Sequence, residues 1–381
     1  MQRYLYNLAT DKYKGFIPAL IQAGLFILSG IYGLAVRFLI FLSRLRFYRL
    51  NCKVISVGNI TLGGTGKTSL VEYIAHYLKQ EGRKVAILSR GYKRKASSNQ
   101  QSAISYETMG DEPYMLSRSL GDIAVIVDAD RVRAARQAIG NHGADTVILD
   151  DGFQQWKIKK DLEIVTIDAT NPFGNRYLIP RGILREPLTS LGRADIFILT
   201  KTNLKPSAEC KEAGILTSAS RSNTSKRQYI RDTRDLKDFL ISINPKAAIF
   251  ESTHKPAWIY EIGNPDKRLS PQTLKTKTAA LFSGIGDPDS FENLIISLGV
   301  KVGLSFRFRD HYSYSSEDLD KIVQAAKEKN IDTIITTEKD AVRLCAVRHT
   351  PYAVRILVLR INLEIKNEEG FHNRLLRLYS A

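Results

Sequence analysis

The sequence predicts an α/β protein: a parallel sheet with helices on both faces, a second, smaller α/β domain, and an N-terminal membrane-associated helix. Three observations carry this. A strand, a glycine loop and a helix start run together over residues 54–78, VISVGNITLGGTGKTSLVEYIAHYL. Short β-branched runs then alternate with helical periodicity on both sides of a polar stretch. Ahead of all this, residues 15–36 contain no charged side chain.

In the first segment, Val54, Ile55 and Val57 fit a buried parallel strand. Gly63, Gly64 and Gly66 free the backbone around Thr65 to curl about an anion, and Lys67 supplies a point charge. Thr68 and Ser69 open a helix whose Leu70, Val71, Ile74 and Leu78 share one face. Phosphate belongs where loop N–H groups and the helix N-terminus converge, with the Thr68 hydroxyl placed for Mg²⁺. The arrangement is P-loop NTPase-like and implies a nucleoside triphosphate. Thr61 stands where the strict motif has its first glycine.

Further strands are expected at Val85–Ser89, Ile123–Val127, Thr146–Leu149, Ile164–Ile167 and Ile196–Leu199, with helices at Glu112–Leu120 and Arg131–Ile139. Residues 205–275 lose the rhythm and read as a linker with a small β element, extended at Ala247–Ser252 and Pro256–Ile262. The rhythm resumes through Ala279–Phe282, Phe291–Leu298, Lys301–Phe306, Ser316–Lys329, Thr333–Thr336 and Arg355–Leu359, and Phe371–Tyr379 reads as helical. The expected divisions are 1–50 (hydrophobic and basic), 51–204 (P-loop core), 205–275 (linker), 276–365 (smaller domain) and 366–381 (a helix packing back on the core).

Composition narrows the partners. The chain has 381 residues, 44% of them apolar and 25% charged, which suits a globular protein. Its net charge of +17 implies an acidic partner: nucleic acid, an anionic membrane face or a phosphorylated substrate. Without zinc spacing, an RNP-type motif or a compact basic helix, nucleic acid is the weaker choice, and none is expected. Three scattered cysteines, Cys52, Cys210 and Cys345, form no framework and suit a reducing cytosol. The uncharged run approaches the ~20 residues needed to span a bilayer. Lys12, Lys14, Arg37, Arg44, Arg46 and Arg49 flank it, so a helix lying in the interface explains it as well as a span does. If it spans, the basic residues that follow favour a cytoplasmic body.

Several residues could carry chemistry. Thr146–Asp151, TVILDD, is an apolar strand ending in Asp150 and Asp151, the Walker B arrangement for holding Mg²⁺. Asp310-His311 follows a strand, and a histidine there can share a hydroxyl proton or simply be solvated. Asp111, in GDEP, reads from pattern alone as the N-cap of Glu112-Pro113. Arg90, Tyr92, Lys93, Arg94 and Lys95 form one basic cluster, and Arg181 with Arg185 a second. Either could hold phosphate or lipid head groups, or be a solvated face. Thr200–Asn203, TKTN, nearly matches the [NT]KxD guanine signature, but Asn203 replaces its aspartate, which favours ATP.

The segments VISVGNITLGGTGKTS, SRGYKRK, GDEP, DADR, VILDDGFQ, KDLEIV, LREPL, FSGIGDPDSF, RDHYSYS and TTEKDAVRL, in this order, resemble the tetraacyldisaccharide 4′-kinases, the lipid A 4′-kinases of Gram-negative bacteria. The resemblance covers most of the chain from about residue 20 to 345. It implies a P-loop kinase at the cytoplasmic face of the inner membrane, moving the γ-phosphate of ATP to the 4′-hydroxyl of a tetraacylated glucosamine disaccharide 1-phosphate. It further implies that Lys67 and Thr68 cradle the triphosphate and Mg²⁺, with Asp151 and Glu186 at the metal. Asp111 with His311 becomes the catalytic base pair, in place of the cap reading. Gln154, Arg90, Tyr92, Arg131 and Arg185 line the nucleotide and lipid sites, and the second domain brings His311 over the P-loop, so closure belongs to turnover. The chain departs from the family pattern at Gln155-Trp156, Ile183 and Ser69. A membrane-associated P-loop NTPase switch without a lipid acceptor is the rival reading. Many such proteins carry Lys where this chain has Leu62, and a switch should survive loss of His311.

Overall fold

The computed structural model describes residues 15–45, 47–91, 109–204, 214–216, 227–230, 232–344 and 354–380. In chain order the elements are α1 (Phe16–Leu45), β1 (Lys53–Gly58), α2 (Lys67–Gln80), β2 (Val85–Ser89), α3 (Asp111–Leu120), β3 (Ala124–Val127), α4 (Arg131–His142), β4 (Thr146–Asp150) and β5 (Leu162–Asp168). A 3₁₀ turn (Leu188–Arg193) leads to β6 (Ile196–Thr200), the hairpin β7 (Gly214–Leu216) and β8 (Arg227–Tyr229), α5 (Thr233–Ile243), β9 (Ala248–Glu261) and β10 (Asn264–Leu269). Then come β11 (Thr278–Ser283), α6 (Pro288–Ser297), β12 (Lys301–Arg307), α7 (Ser316–Glu328), β13 (Thr333–Thr337), α8 (Glu338–Leu344), β14 (Arg355–Ile365) and α9 (Glu368–Leu376).

The chain forms two compact units. The first comprises residues 1–90, 128–253 and 365–381, the second 91–127 and 254–364. This partition departs from the boundaries read along the sequence, because the chain leaves the first unit after β2 and returns before α4. Strand and helix periodicity do not register such an excursion.

In the first unit the strands run in the order β9, β6, β5, β1, β4, β2, all parallel. Parallel strands covered on both faces must be apolar throughout, and β2, β4 and β6 are buried at every position. Leu70, Val71, Ile74 and Leu78 of α2 are fully buried, as their spacing requires. The carboxyl ends of β1, β4, β5 and β6 share one edge, where ligands of open α/β sheets bind. On that edge Gly58 closes against the β4 exit: a Cβ there would lie 2.5 Å from the Phe153 nitrogen. Because that neighbour is backbone, Gly58→Ala should destabilise the protein by about 1–3 kcal/mol, read as a lower denaturant midpoint. An unchanged midpoint would mean that the loop yields freely.

The second unit carries β12, β11, β13 and β14 in parallel, with β10 antiparallel to β9. Phe282, Leu319, Ile322, Ile334 and Tyr314 pack on one face of it, and Leu281, Ile295, Ile335 and Leu357 on the other. Two details differ from expectation. The two extended pieces read at 247–252 and 256–262 are one strand, β9. The polar stretch before it contains α5, capped by the Asp232 carboxylate and buried through Leu236, Phe239 and Leu240.

α1 is long and apolar enough to cross a membrane by length and composition. One stripe of it docks on the first unit. The Ser29 hydroxyl donates to the Leu178 carbonyl at 2.7 Å and accepts from the Arg181 N–H at 2.9 Å. The Tyr32 hydroxyl donates to the Arg185 carbonyl at 2.9 Å, and Val36 is buried. Opposite that stripe, Phe16 (86% exposed), Leu20, Ile27, Ile31, Leu34 and Phe38 face outward.

Candidate active site

The glycine loop joins β1 to α2 on the carboxyl edge of the first unit. Gly63 (φ +112°) and Gly66 (φ +79°) take backbone angles that L side chains rarely adopt. Nothing lies within 4 Å of where a Cβ on Gly63 or Gly64 would be, so the loop keeps an open concave side. Two contacts hold the loop from outside. The Thr65 hydroxyl meets that of Thr166 at 2.7 Å, and the Leu62 N–H donates to the Ile183 carbonyl at 2.8 Å. α2 starts at Lys67 with no side-chain cap, leaving the N–H groups around Thr68 and Ser69 to an anion.

Facing this loop, β4 ends in Asp150 and Asp151. Asp150 is buried and accepts from the Ser89 hydroxyl at 3.1 Å. Asp151 has φ +53°, a strained angle of the kind that collects at functional sites. It takes both guanidinium N–H groups of Arg185, at 2.7 and 2.9 Å, and its Oδ1 lies 3.6 Å from the Lys67 ammonium. Burial opposes ionisation of Asp151, but the Lys67 and Arg185 charges prevail and hold its carboxyl down at about 2. Arg185 also donates to Asn59 Oδ1 at 3.1 Å.

Arg131 begins α4, whose N-cap is Asp130. Burial pushes its guanidinium below the ordinary value against the opposing charges of Asp150 and Asp151, and Arg90 adds to the lowering. Lys67, Arg131, Arg185 and the two acids therefore form one electrostatic cluster. Tyr92 and the basic residues after it lie outside the described residues.

Glu186 is held by several side chains. Expected at the metal, it is fully buried and committed to protein donors. Arg193 donates to Oε2 at 2.9 Å, while Gln154 and Trp156 each donate to Oε1 at 3.1 Å. Gln154 also donates to the Asn59 carbonyl at 3.1 Å, so Glu186 positions Gln154. Arg193→Met would leave a buried charge without its cation and should cost about 3–5 kcal/mol. A melting temperature within a degree or so of wild type would contradict this.

The second unit holds the other expected group. Asp111 is the first residue of α3 and not its cap, which is Gly110. Its carboxylate faces His311 instead, with Oδ2 to Nδ1 at 3.0 Å. Arg343 Nε donates to the same oxygen at 2.6 Å. Burial raises the Asp111 pKa, but the His311 hydrogen bond and the Arg343 charge lower it further, to about 2. His311 has φ +57°, and its N–H donates to the Gly284 carbonyl at 3.1 Å. With Nδ1 engaged by Asp111, the basic nitrogen of the neutral ring is Nε2.

Groups with no motif of their own support this pair. Arg343 Nη1 donates to Asp340 Oδ1 at 3.1 Å and to the Gly284 carbonyl at 2.8 Å. Asp340 is fully buried and accepts from the Tyr314 hydroxyl (2.8 Å), the Gly284 N–H (2.9 Å) and the Thr337 hydroxyl (2.6 Å). The available signal was that FSGIG, RDHYSYS and TTEKDAVRL all carry these residues.

A glycine loop on a parallel sheet, backed by a strand-end acid pair, defines a P-loop nucleotide-binding protein. The second unit adds the oriented Asp111–His311 contact. The family model described as tetraacyldisaccharide-1-P 4′-kinase matches residues 21–380. The chain belongs to that family. A tetraacyldisaccharide 4′-kinase of Halothermothrix orenii is 34% identical over 388 residues, covering 96% of this chain and 95% of that protein. Another, from Syntrophus aciditrophicus, is 36% identical over 341 residues, covering 87% and 86%. The crystal structure of LpxK from Aquifex aeolicus in complex with ATP superimposes with a TM-score of 0.68 at 27% identity, covering 94% of this chain and 99% of that one.

Proposed function

We infer that this chain is an ATP-dependent lipid kinase that transfers the γ-phosphate to the 4′-hydroxyl of a tetraacylated glucosamine disaccharide 1-phosphate. Family membership supports the acceptor, and the Aquifex aeolicus complex supports ATP. The observation that favours a kinase over an NTPase switch is the Asp111–His311 contact at 3.0 Å, since hydrolysis alone needs no base for a sugar hydroxyl.

Loop N–H groups from Gly63 to Ser69 and the N-terminus of α2 hold the triphosphate oxygens, and Lys67 neutralises charge growing on the transferred group. Thr68 and Asp150 offer the hard oxygen donors that suit Mg²⁺. Bound there, Mg²⁺ would supply positive charge to the phosphate oxygens. Arg185 and Lys67 engage Asp151, whose role is then to hold those two cations in place. Arg131 and Arg90 suit substrate phosphate, and Gln154 the nucleotide.

Proton transfer falls to His311. With its pKa near 2, Asp111 is too weak a base to take a hydroxyl proton at neutral pH. It orients the ring through Nδ1 and stabilises the imidazolium formed when Nε2 accepts the proton.

The docked stripe of α1 favours a helix lying on the cytoplasmic face of the inner membrane, its outward apolar side in the acyl region. The test is transfer of γ-labelled phosphate from ATP to purified tetraacyldisaccharide 1-phosphate in detergent micelles with Mg²⁺. Labelled lipid supports the reading, whereas ATP turnover without it returns the NTPase switch.

A further inference from the structure

The first unit carries a second charged cavity, at the edge of its sheet opposite the P-loop. Lys53 opens β1 and pairs with Thr146 at the start of β4, whereas the glycine loop and Asp150 lie at the other ends of these strands. The cavity measures about 530 Å³, and its lining includes Arg49, Lys53, Arg83 and Lys159 with the acids Asp145 and Asp161. Both acids also accept from neighbouring neutral donors. Asp161 accepts from the Val54 N–H at 2.8 Å, and Asp145 from the Lys84 N–H at 3.1 Å and the Thr146 hydroxyl at 2.7 Å. Among the described residues none of the four cations forms a salt bridge.

The cations are held in place by other contacts. The Arg83 guanidinium lies over the Tyr379 ring, 4.0 Å from its centroid, and its Nε is buried without a hydrogen-bond partner. Tyr379 is itself tied to the Thr146 hydroxyl at 2.8 Å. Backbone bonds from Tyr48 N–H to the Lys157 carbonyl (2.7 Å) and from Lys159 N–H to the Tyr48 carbonyl (2.9 Å) fasten Arg49 and Lys159 to one rim.

We propose that this cavity binds a phosphate group, carried by a phospholipid head group or free in solution. Four cations against two lining acids leave the cavity with an excess of positive charge, and converging guanidinium and ammonium donors are the chemistry that recognises phosphate oxygens. The rim lies just beyond the end of α1, which bears the outward apolar face. The site is separate from the one that binds the triphosphate, since the two occupy opposite ends of the same strands.

Cys52 lines the cavity, so its alkylation reports occupancy there and is blind to phosphate on the glycine loop. Burial, with Asp161 and Asp145 nearby, pushes its thiol up to about 11, so the reaction is run at alkaline pH. The full chain in non-ionic detergent is treated with iodoacetamide, and peptide mass spectrometry follows Cys52 alone. The probes are inorganic phosphate, glycerol phosphate, phosphatidylglycerol micelles and micelles of a phosphate-free glycolipid. A probe at about four times its Kd leaves about one fifth of the cavities open, so alkylation should slow about five-fold. Slowing by phosphatidylglycerol alone identifies a lipid head group, and slowing by the soluble anions as well identifies phosphate in general. The double variant Lys53→Ala, Lys159→Ala, at two exposed positions, should abolish the effect. No slowing with any phosphate probe, equal slowing with the glycolipid, or slowing that persists in the double variant would each overturn the proposal.

Discussion

Asp111→Asn is expected to lower turnover about 10²- to 10⁴-fold, the range that a positioned acid–base group contributes. Asn keeps the shape of the side chain but cannot stabilise an imidazolium. Its amide can donate to Nδ1 and force the proton onto Nε2, leaving no basic nitrogen for the sugar hydroxyl. The KM for ATP should hold, because the glycine loop belongs to the first unit. Melting should change modestly, since Arg343 keeps its bonds to Asp340 and the Gly284 carbonyl. His311→Ala should cost about as much as Asp111→Asn, and the double variant little more, because two groups acting as one unit are not additive. Equal turnover in wild type and Asp111→Asn would remove the pair from the mechanism.

The legible parts of the molecule were those whose physics is local. β1, the glycine loop and α2 follow from one run of residues, and the burial of Val54, Ile55, Leu70 and Ile74 repeats the pattern that suggested them. Asp111 and His311 lie 200 residues apart, and no spacing rule joins them. Only resemblance to a family paired them, while pattern alone made Asp111 a cap. The surroundings of Glu186 were illegible for a related reason. It neighbours Arg185 in sequence, but its burial demands donors from Arg193, Trp156 and Gln154, and these occupy its oxygens. Arg343 and Asp340 escaped notice because charged residues on a short helix read as solvated until burial is known. α5 was overlooked inside a polar stretch, although Leu236, Phe239 and Leu240 carry helical spacing.

Lys67→Met should reduce kcat/KM about 10²- to 10³-fold, the loss typical of removing one preorganised donor to transition-state charge. Lys67→Arg should rescue little, since a planar fork does not replace a compact ammonium in a loop built around it. The variant should nevertheless fold, because Asp151 retains its two bonds to Arg185. A signature of the pairing should appear in the dependence of stability on pH. With a folded pKa of about 2 against an ordinary 3.8, Asp151 stabilises the native state above pH 3.8 and loses that contribution as the pH falls towards 2. Removing Lys67, the largest of the lowering influences, raises the folded value towards the unfolded one. Denaturant midpoints measured from neutrality down through pH 3.8 should therefore fall less steeply at the acid end in Lys67→Met than in wild type. An identical acid limb in the two proteins would mean that Lys67 and Asp151 are not coupled in solution, and Asp151 would then lose its role as the anchor of the phosphate-binding lysine.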